Sequence, residues 1–380
     1  MKLLFTGDVC FSCKGILSYE ESAEILQDMK PIFDSVDFRI MNLETPLANE
    51  AECEKLPKSG PNIISPPENV VFLQAAGADV ATLANNHIND FTEKGLVSTL
   101  QVLDQAGIAH CGAGRNLDQA YQAVYLEKDG LKTAILSVCE NEPGYATSHS
   151  CGSAGLNMLK LLQRIREEKQ QADFVVVVFH GGTEYNPIPA PGIQERYRTF
   201  IELGADAVVA GHTHCPQGYE IYNGKPILYS MGNFLFVSFD ECDDTPSWNT
   251  GCVCLLDMDK SGISMELIPY RFDTYGTRIS PLQGKAKEDM MAYLQTVSEP
   301  LADPDLLEKY FRGWAISHPL YPKTPTDYTV DKMNYRASNL VRCEAHHECL
   351  KMNYQTIKDG MVDEALEWAK KIADLQNVPG

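Results

Sequence analysis

Histidines gather where apolar runs stop. Phe174-Val-Val-Val-Val-Phe179 delivers His180 in the string V-F-H-G-G-T-E-Y, and Asp206-Ala-Val-Val-Ala210 ends in Gly211-His212-Thr213-His214. A lone histidine after a strand is usually a hydrogen-bonded loop residue. Two histidines one residue apart, behind a glycine that admits close backbone approach, pack poorly as filler and read as ligands. Other apolar runs end in the same kind of group. Residues 2–6 release Gly7-Asp8, residues 37–41 run into Asn42-Leu43-Glu44, and residues 78–84 into Asn85-Asn86-His87. In order the strand-end groups are Asp8, Glu44, Asn86, His87, His180, His212 and His214. Oxygen donors mixed with imidazoles suit manganese, zinc or iron. The set is large enough for two divalent ions, and a carboxylate such as Glu44 can bridge ions that in hydrolytic sites lie about 3.5–4 Å apart. A structural zinc cage closes with four ligands, and this set exceeds it.

The elements that must position these groups follow from the pattern. Unbroken β-branched runs such as residues 174–179 are strands covered on both faces, which are typically parallel. Ligands of such sheets gather outside the strand carboxyl ends. Helical periods occupy residues 68–76, 92–106, 155–171 and 193–203, between the strands. Lys128-Asp129-Gly130 and Asn223-Gly224 are hairpin turns. Residues 251–258 and 263–271 read as two further strands. Crossover units first and hairpins later imply two sheets, or one large mixed sheet, with helices outside. Residues 48–67, 187–192 and 240–250 read as loops around the site, the first of them exposed.

The totals narrow the function. A formal charge of −20, from 32 Lys+Arg against 52 Asp+Glu, disfavours a nucleic-acid grip or an anionic membrane surface, both of which need clustered cations. A small anion still fits where metal ions supply the positive charge. The first residues, M-K-L-L-F-T-G-D, are too short an apolar stretch for a signal peptide, and no run has the length of a membrane-spanning helix, so the reading is cytoplasmic. The 12 cysteines are spread along the chain and read as thiols, including Cys10 and Cys13 despite their redox-motif spacing.

Beyond about residue 280 the texture turns helical, with periods over 287–297, 303–316, 331–358 and 362–375. The expected division is therefore 1–275 and 280–380. Cys343-Glu-Ala-His346-His347-Glu-Cys349 places Cys343, His346 and His347 on one helical face. Zinc is conceivable there, but without a second ligand pair at finger spacing the segment reads as a helix surface.

The strings G-D-V, N-L-E-T-P-L, L-A-N-N-H, H-G-G-T-E-Y, G-H-T-H and Y-S-M-G-N-F, in that order, resemble those of the CapA family of poly-γ-glutamate capsule biosynthesis proteins, across residues 1–271. That family resembles the calcineurin-like metallophosphoesterases. The resemblance implies a four-layer α/β/β/α sandwich of two mixed sheets, with a helical C-terminal region outside it. It further implies that Asp8 and His214 hold one ion, that Asn86, His180 and His212 hold the other, and that Glu44 bridges them. His87 matches the histidine that protonates the leaving oxygen, while Glu184 and Asn233 match residues that contact substrate or support a ligand. The expected activity is phosphoester cleavage by a metal-activated hydroxide. The alternative is a non-catalytic capsule-pathway protein that binds a polyglutamate-type anion or a partner through the same cleft. Two departures stand out. Phosphoesterases usually carry Asp-x-His at the first motif, where this chain has Asp8-Val9-Cys10, and an Asp where it has Glu44. Cys10 is thereby a further candidate ligand.

Overall fold

The computed structural model describes residues 1–11, 14–237, 246–318 and 332–379. Among these residues two large mixed sheets face each other. The first is eight-stranded, in the order Ile279–Pro281, Gly262–Phe272, Thr250–Asp259, Lys2–Cys10, Phe38–Leu43, Val80–Thr82 and Ala109–Cys111, with Asn233–Phe236 pairing the end of Lys2–Cys10. The second is six-stranded, in the order Tyr219–Tyr222, Lys225–Leu228, Ala207–Gly211, Phe174–His180, Leu131–Cys139 and Val124–Lys128. The middle of each sheet is parallel, and the antiparallel strands lie toward the edges.

Alternation along the strands builds the layers. Leu3, Phe5, Ile40 and Val80 share a buried core with Ile135 and Val176 of the opposite sheet. Their neighbours Leu4, Met41 and Ala81 turn outward onto Phe72, Leu73, Leu96 and Leu103 of the helices Val70–Ala76 and Thr92–Ala106. Helices Met158–Lys169 and Pro191–Glu202 cover the second sheet with Leu161, Ile165, Tyr197 and Phe200. The result is the α/β/β/α sandwich of two mixed sheets expected from the motifs. Both two-residue hairpins have left-handed turn residues, at Asp129 and Gly130 (φ 53° and 77°) and at Asn223 and Gly224 (φ 52° and 78°). This is the turn whose twist matches that of paired strands.

The C-terminal helices Gly284–Ser298, Pro304–Ser317, Glu344–Lys358 and Val362–Leu375 contribute Leu294, Phe311, Trp314, Cys349 and Ile372 to the same core as the second sheet, and Lys332–Arg342, which precedes Glu344–Lys358, buries Leu340. The structure corrects the sequence reading in four places. The period over 331–358 is two helices, because Cys343 leaves the helical region (φ −71°, ψ 124°) and becomes the N-cap of the second. His347 is consequently exposed rather than joining Cys343 and His346 on one face, and Cys349 is buried in the core. Residues 279–281, at the onset of the helical texture, add a short strand that pairs with residues 270–272. The loop 48–67 is anchored rather than merely exposed. The Lys58 side chain, Ile63 and Ser65 are buried, the Ala48 N–H donates to the Ser65 carbonyl, and the Ser65 N–H donates to that of Pro46. Cys13 and residues 240–245 of the loop 240–250 lie outside the described residues.

Candidate metal centre

The parallel strands bring their carboxyl ends to one edge of the sandwich. Asp8 is in register with Asn42 on one side and Asn233 on the other, and His180 is in register with Gly211 and Cys139. The two sheets meet at Asp8. Its Oδ2 accepts the backbone N–H of His212 at 3.0 Å, and its Oδ1 accepts from Asn42 Nδ2 at 2.6 Å. Gly211 is obligatory at this crossing, because a Cβ there would lie 2.8 Å from Asp8 Oδ1. His212 and His214 both have left-handed backbones (φ 96° and 56°), which aims both imidazoles back at the same edge from one short turn.

Two groups of ligand atoms result, each within 4.8 Å: Glu44, His180 and His212, and Asp8, Glu44 and His214. Glu44 is common to both. His180 Nε2 lies 3.4 Å from Glu44 Oε1, 3.1 Å from His212 Nδ1 and 3.0 Å from Asn86 Oδ1. Glu44 is fully buried, yet neither of its oxygens has a hydrogen-bond donor. Burial, reinforced by the nearby Asp8 charge, pushes its carboxyl well above the ordinary range. Burial, and then the neighbouring His180 and His214, hold His212 well below the ordinary imidazole value, so it is a neutral donor. Orphaned acceptors and neutral imidazoles converging on shared points fit divalent cations, since a buried carboxylate without donors otherwise costs several kcal/mol.

The remaining residues surround this cluster. His87 is buried, and its Nδ1 lies 2.7 Å from Asp90 Oδ2 and 3.2 Å from Lys58 Nζ, while Lys58 also pairs with Asp90. Burial and then Lys58 lower its pKa, against the Asp90 charge. The Asp90 contact fixes the proton on Nδ1 and leaves Nε2 as the ring nitrogen available for exchange. Asn233 Oδ1 accepts from His214 Nδ1 at 2.8 Å, and its amide donates to the Trp248 carbonyl at 3.2 Å, so it orients a ligand. Glu184 is exposed on the loop after the His180 strand, with its charge felt at Glu44 and His180. Cys10 packs into the outer helix-facing core and belongs to neither ligand group.

Several residues escape a reading of the sequence. Asn42 Nδ2 contacts both Asp8 Oδ1 and, at 3.3 Å, His180 Nδ1, linking the two groups. Asn85 ties its loop to the Glu44 strand through the Leu43 carbonyl (2.8 Å) and accepts the His87 and Ile88 amides. A polar residue interrupting an otherwise buried strand was the available signal for Asn42. For Lys58 there was none. Trp248 and Tyr185 flank His214, with ring centroids 4.7 and 6.1 Å away, and form an aromatic wall.

Known proteins share parts of this chain. A solved structure of a 5'-nucleotidase precursor from Thermus thermophilus covers 78% of this chain and 59% of its own, at 13% identity and a TM-score of 0.44. Vps29 of Chaetomium thermophilum covers 74% of this chain and 94% of its own, at 9% identity and a TM-score of 0.30. The capsule biosynthesis protein CapA of Bacillus anthracis is 29% identical over 246 residues, 62% of this chain and 60% of that protein. A probable polyglutamine synthesis accessory protein of Mycobacterium tuberculosis is 30% identical over 213 residues, 52% of this chain and 55% of that protein. The chain thus spans about 55–60% of the length of these curated relatives. The family described as "Bacterial capsule synthesis protein PGA_cap" matches residues 2–238, which hold every strand-end group above, and the chain belongs to that family.

Proposed function

We propose that the chain is a metal-dependent hydrolase that cleaves a phosphoester in the service of capsule or poly-γ-glutamate synthesis. The observation that carries this reading is Glu44: a buried carboxylate with no donor, standing between Asp8 and His214 on one side and His180 and His212 on the other. Asp8, Glu44 and His214 would hold one divalent ion, and Glu44, Asn86, His180 and His212 a second, of manganese, zinc or iron. When bound, such ions supply Lewis acidity and lower the pKa of a coordinated water. The chain's own residues do the rest. Asn42 and Asn233 hold Asp8 and His214 in place, and Asn42 also lies against the His180 ring at Nδ1. His87, oriented by Asp90, would hand a proton from Nε2 to the leaving oxygen from its doubly protonated form, the form the Asp90 carboxylate favours, and would keep the Nδ1 proton afterwards. Glu184 at the rim would contact substrate. A phosphorylated small anion suits a strongly acidic chain only where ions offset its charge.

We take residues 1–275 as the unit that carries this site and 280–380 as a helical region covering one side. No helix among the described residues is long and apolar enough to cross a membrane. None of the ten described cysteines is in a disulfide, which supports a reducing, cytoplasmic compartment.

The test is metal content by elemental analysis together with turnover of an aryl phosphate and an aryl phosphodiester, with manganese or zinc added. Metal-dependent turnover, with two ions per chain belonging to this cluster, is the expected result. Glu44→Gln should abolish both, and His87→Ala should keep the ions while lowering turnover by about 10²–10⁴-fold. Bound ions with no turnover in the unaltered chain would leave the polyanion-binding role instead.

A further inference from the structure

We propose that Glu142, Cys343 and His346 form a separate metal site that takes one divalent cation of the zinc class and fastens the C-terminal helices to the sheet edge beside the first centre. The proposal is independent of whether the first centre is catalytic. A carboxylate oxygen, Cys343 Sγ and an imidazole nitrogen of His346 lie within 4.8 Å of one another. Tetrahedral zinc, with bonds of about 2.0–2.3 Å, sets ligand atoms roughly 3.3–3.8 Å apart, a small side-chain adjustment away. Oxygen, thiolate and imidazole together select a borderline-soft ion. Three protein ligands leave a position for water.

The backbone explains why these residues meet. The strand Leu131–Cys139 ends beside His180, the Glu140 amide donates to the His180 carbonyl at 3.0 Å, and Glu142 follows two residues on. From the other side, the break at Cys343 turns the chain so that the N-cap and third residue of helix Glu344–Lys358 face that strand end. Flanking polar contacts hold the docking. Glu344 accepts from the Asn141 backbone N–H at 2.9 Å and from its amide at 2.6 Å, and Glu348 accepts the Gly192 N–H at 2.5 Å.

Two further observations point to an ion. Asn339 is buried and its Oδ1 has no partner, while its Nδ2 sits 3.4 Å from His346 Nδ1. With the amide turned over, Oδ1 would accept from Nδ1–H, the outer bond that fixes a ligating imidazole and frees Nε2 for metal. The charge balance also calls for a cation. Cys343 Sγ is buried 3.5 Å from Glu140 Oε2 and close to Glu142. Arg196 lies 3.3 Å from Glu140 Oε1 and so answers that carboxylate, which leaves Glu142 without a cationic partner of its own among the described contacts. Glu140 also accepts the Ala345 N–H at 3.3 Å. His347 and Cys349 take no part, since one is exposed and the other lies in the core.

Loading the metal-free full chain with cobalt(II) tests the site, because a thiolate ligand gives a near-ultraviolet charge-transfer absorption that imidazole and carboxylate ligands do not. The band is expected in the unaltered chain, lost in Cys343→Ser and His346→Ala, and kept in Cys10→Ser and in Glu44→Gln, which empties only the first centre. Zinc content should fall by one ion per chain in Cys343→Ser and in Glu142→Gln, with circular dichroism confirming that the variants fold. Absence of the band in the unaltered chain, its survival in Cys343→Ser, or its loss in Cys10→Ser would overturn the proposal. The two centres therefore fail separately.

Discussion

The strand-end cluster and the C-terminal helices are held in contrasting ways. Asp8, Glu44, His180, His212 and His214 follow from four strands in the parallel centres of the two sheets, and the pairing of those strands places them. Their positions are determined many times over. The helix Glu344–Lys358, by contrast, lies outside the sheets; it adds Cys349 to the core, and a few side-chain carboxylates join its start to the sandwich, Glu344 on Asn141 and Glu348 on Gly192. The first arrangement is preorganised and tolerates strain at His212 and His214. The second draws on individual polar contacts as well as on the core, and those are contacts that single substitutions can loosen.

The largest effect should come from Asn42→Ala. This residue touches no substrate in the proposed reaction, yet it bonds Asp8 and contacts His180. If the cluster is fixed by supporting contacts as well as by strand pairing, metal affinity should drop about 10–100-fold, as measured by competition with a chelator. Unchanged affinity would mean that strand pairing alone suffices.

A smaller effect is expected from Glu344→Ala, which removes an acceptor from both the Asn141 backbone N–H and its amide. Loss of charge-assisted bonds of this kind should weaken docking by about 2 kcal/mol. Hydrogen exchange should accelerate in 332–379 while the strands around Asp8 keep their protection. Equal acceleration in both regions would abolish the contrast.

The smallest effect lies on the surface, where Arg278 donates to Asp28 at 2.7 and 2.9 Å and Ser280 donates at 2.6 Å, bonds that hold the Asp28 carboxyl below the usual range. As pH falls, the unfolded chain takes up this proton first. The contribution is therefore complete above the ordinary aspartate pKa of about 4 and disappears as pH falls through the lower folded value. Arg278→Ala should destabilise only slightly at neutral pH, since the pair is largely solvated, and not at all once Asp28 is protonated. Denaturant titrations at two pH values would measure it.

What could be read from the residues follows from what is local. Buried parallel strands announce themselves as runs such as Phe174–His180, glycine-containing turns mark both hairpins, and two histidines one residue apart at a strand end pack poorly as filler. Asn42 offered only its polarity within a buried strand, because its importance lies in register with Asp8, a neighbour 34 positions away. Lys58 sits in a loop of exposed composition, and its side chain is buried only because Asp90 waits for it. The break at Cys343 carries no proline or glycine, so the helical period runs through it undisturbed, and tertiary contact with Glu140 decides the conformation there. The partnership of Cys343 and His346 with Glu142 spans about 200 residues and was invisible for the same reason.

The close approach of Gly7 to Gly232, where a Cβ would lie 1.8 Å from the carbonyl oxygen, has a consequence for biosynthesis. The strand Lys2–Cys10 is central to its sheet, but two of its neighbours, Asn233–Phe236 and Thr250–Asp259, follow it only much later in the chain. At elongation rates of about 5–20 residues per second, Leu3, Leu4 and Phe5 wait on the order of tens of seconds with one edge unpaired. Until those strands are made Asp8 lacks part of its surroundings, so the strand-end cluster closes late in synthesis, and the unpaired edge of Lys2–Cys10 needs protection until then.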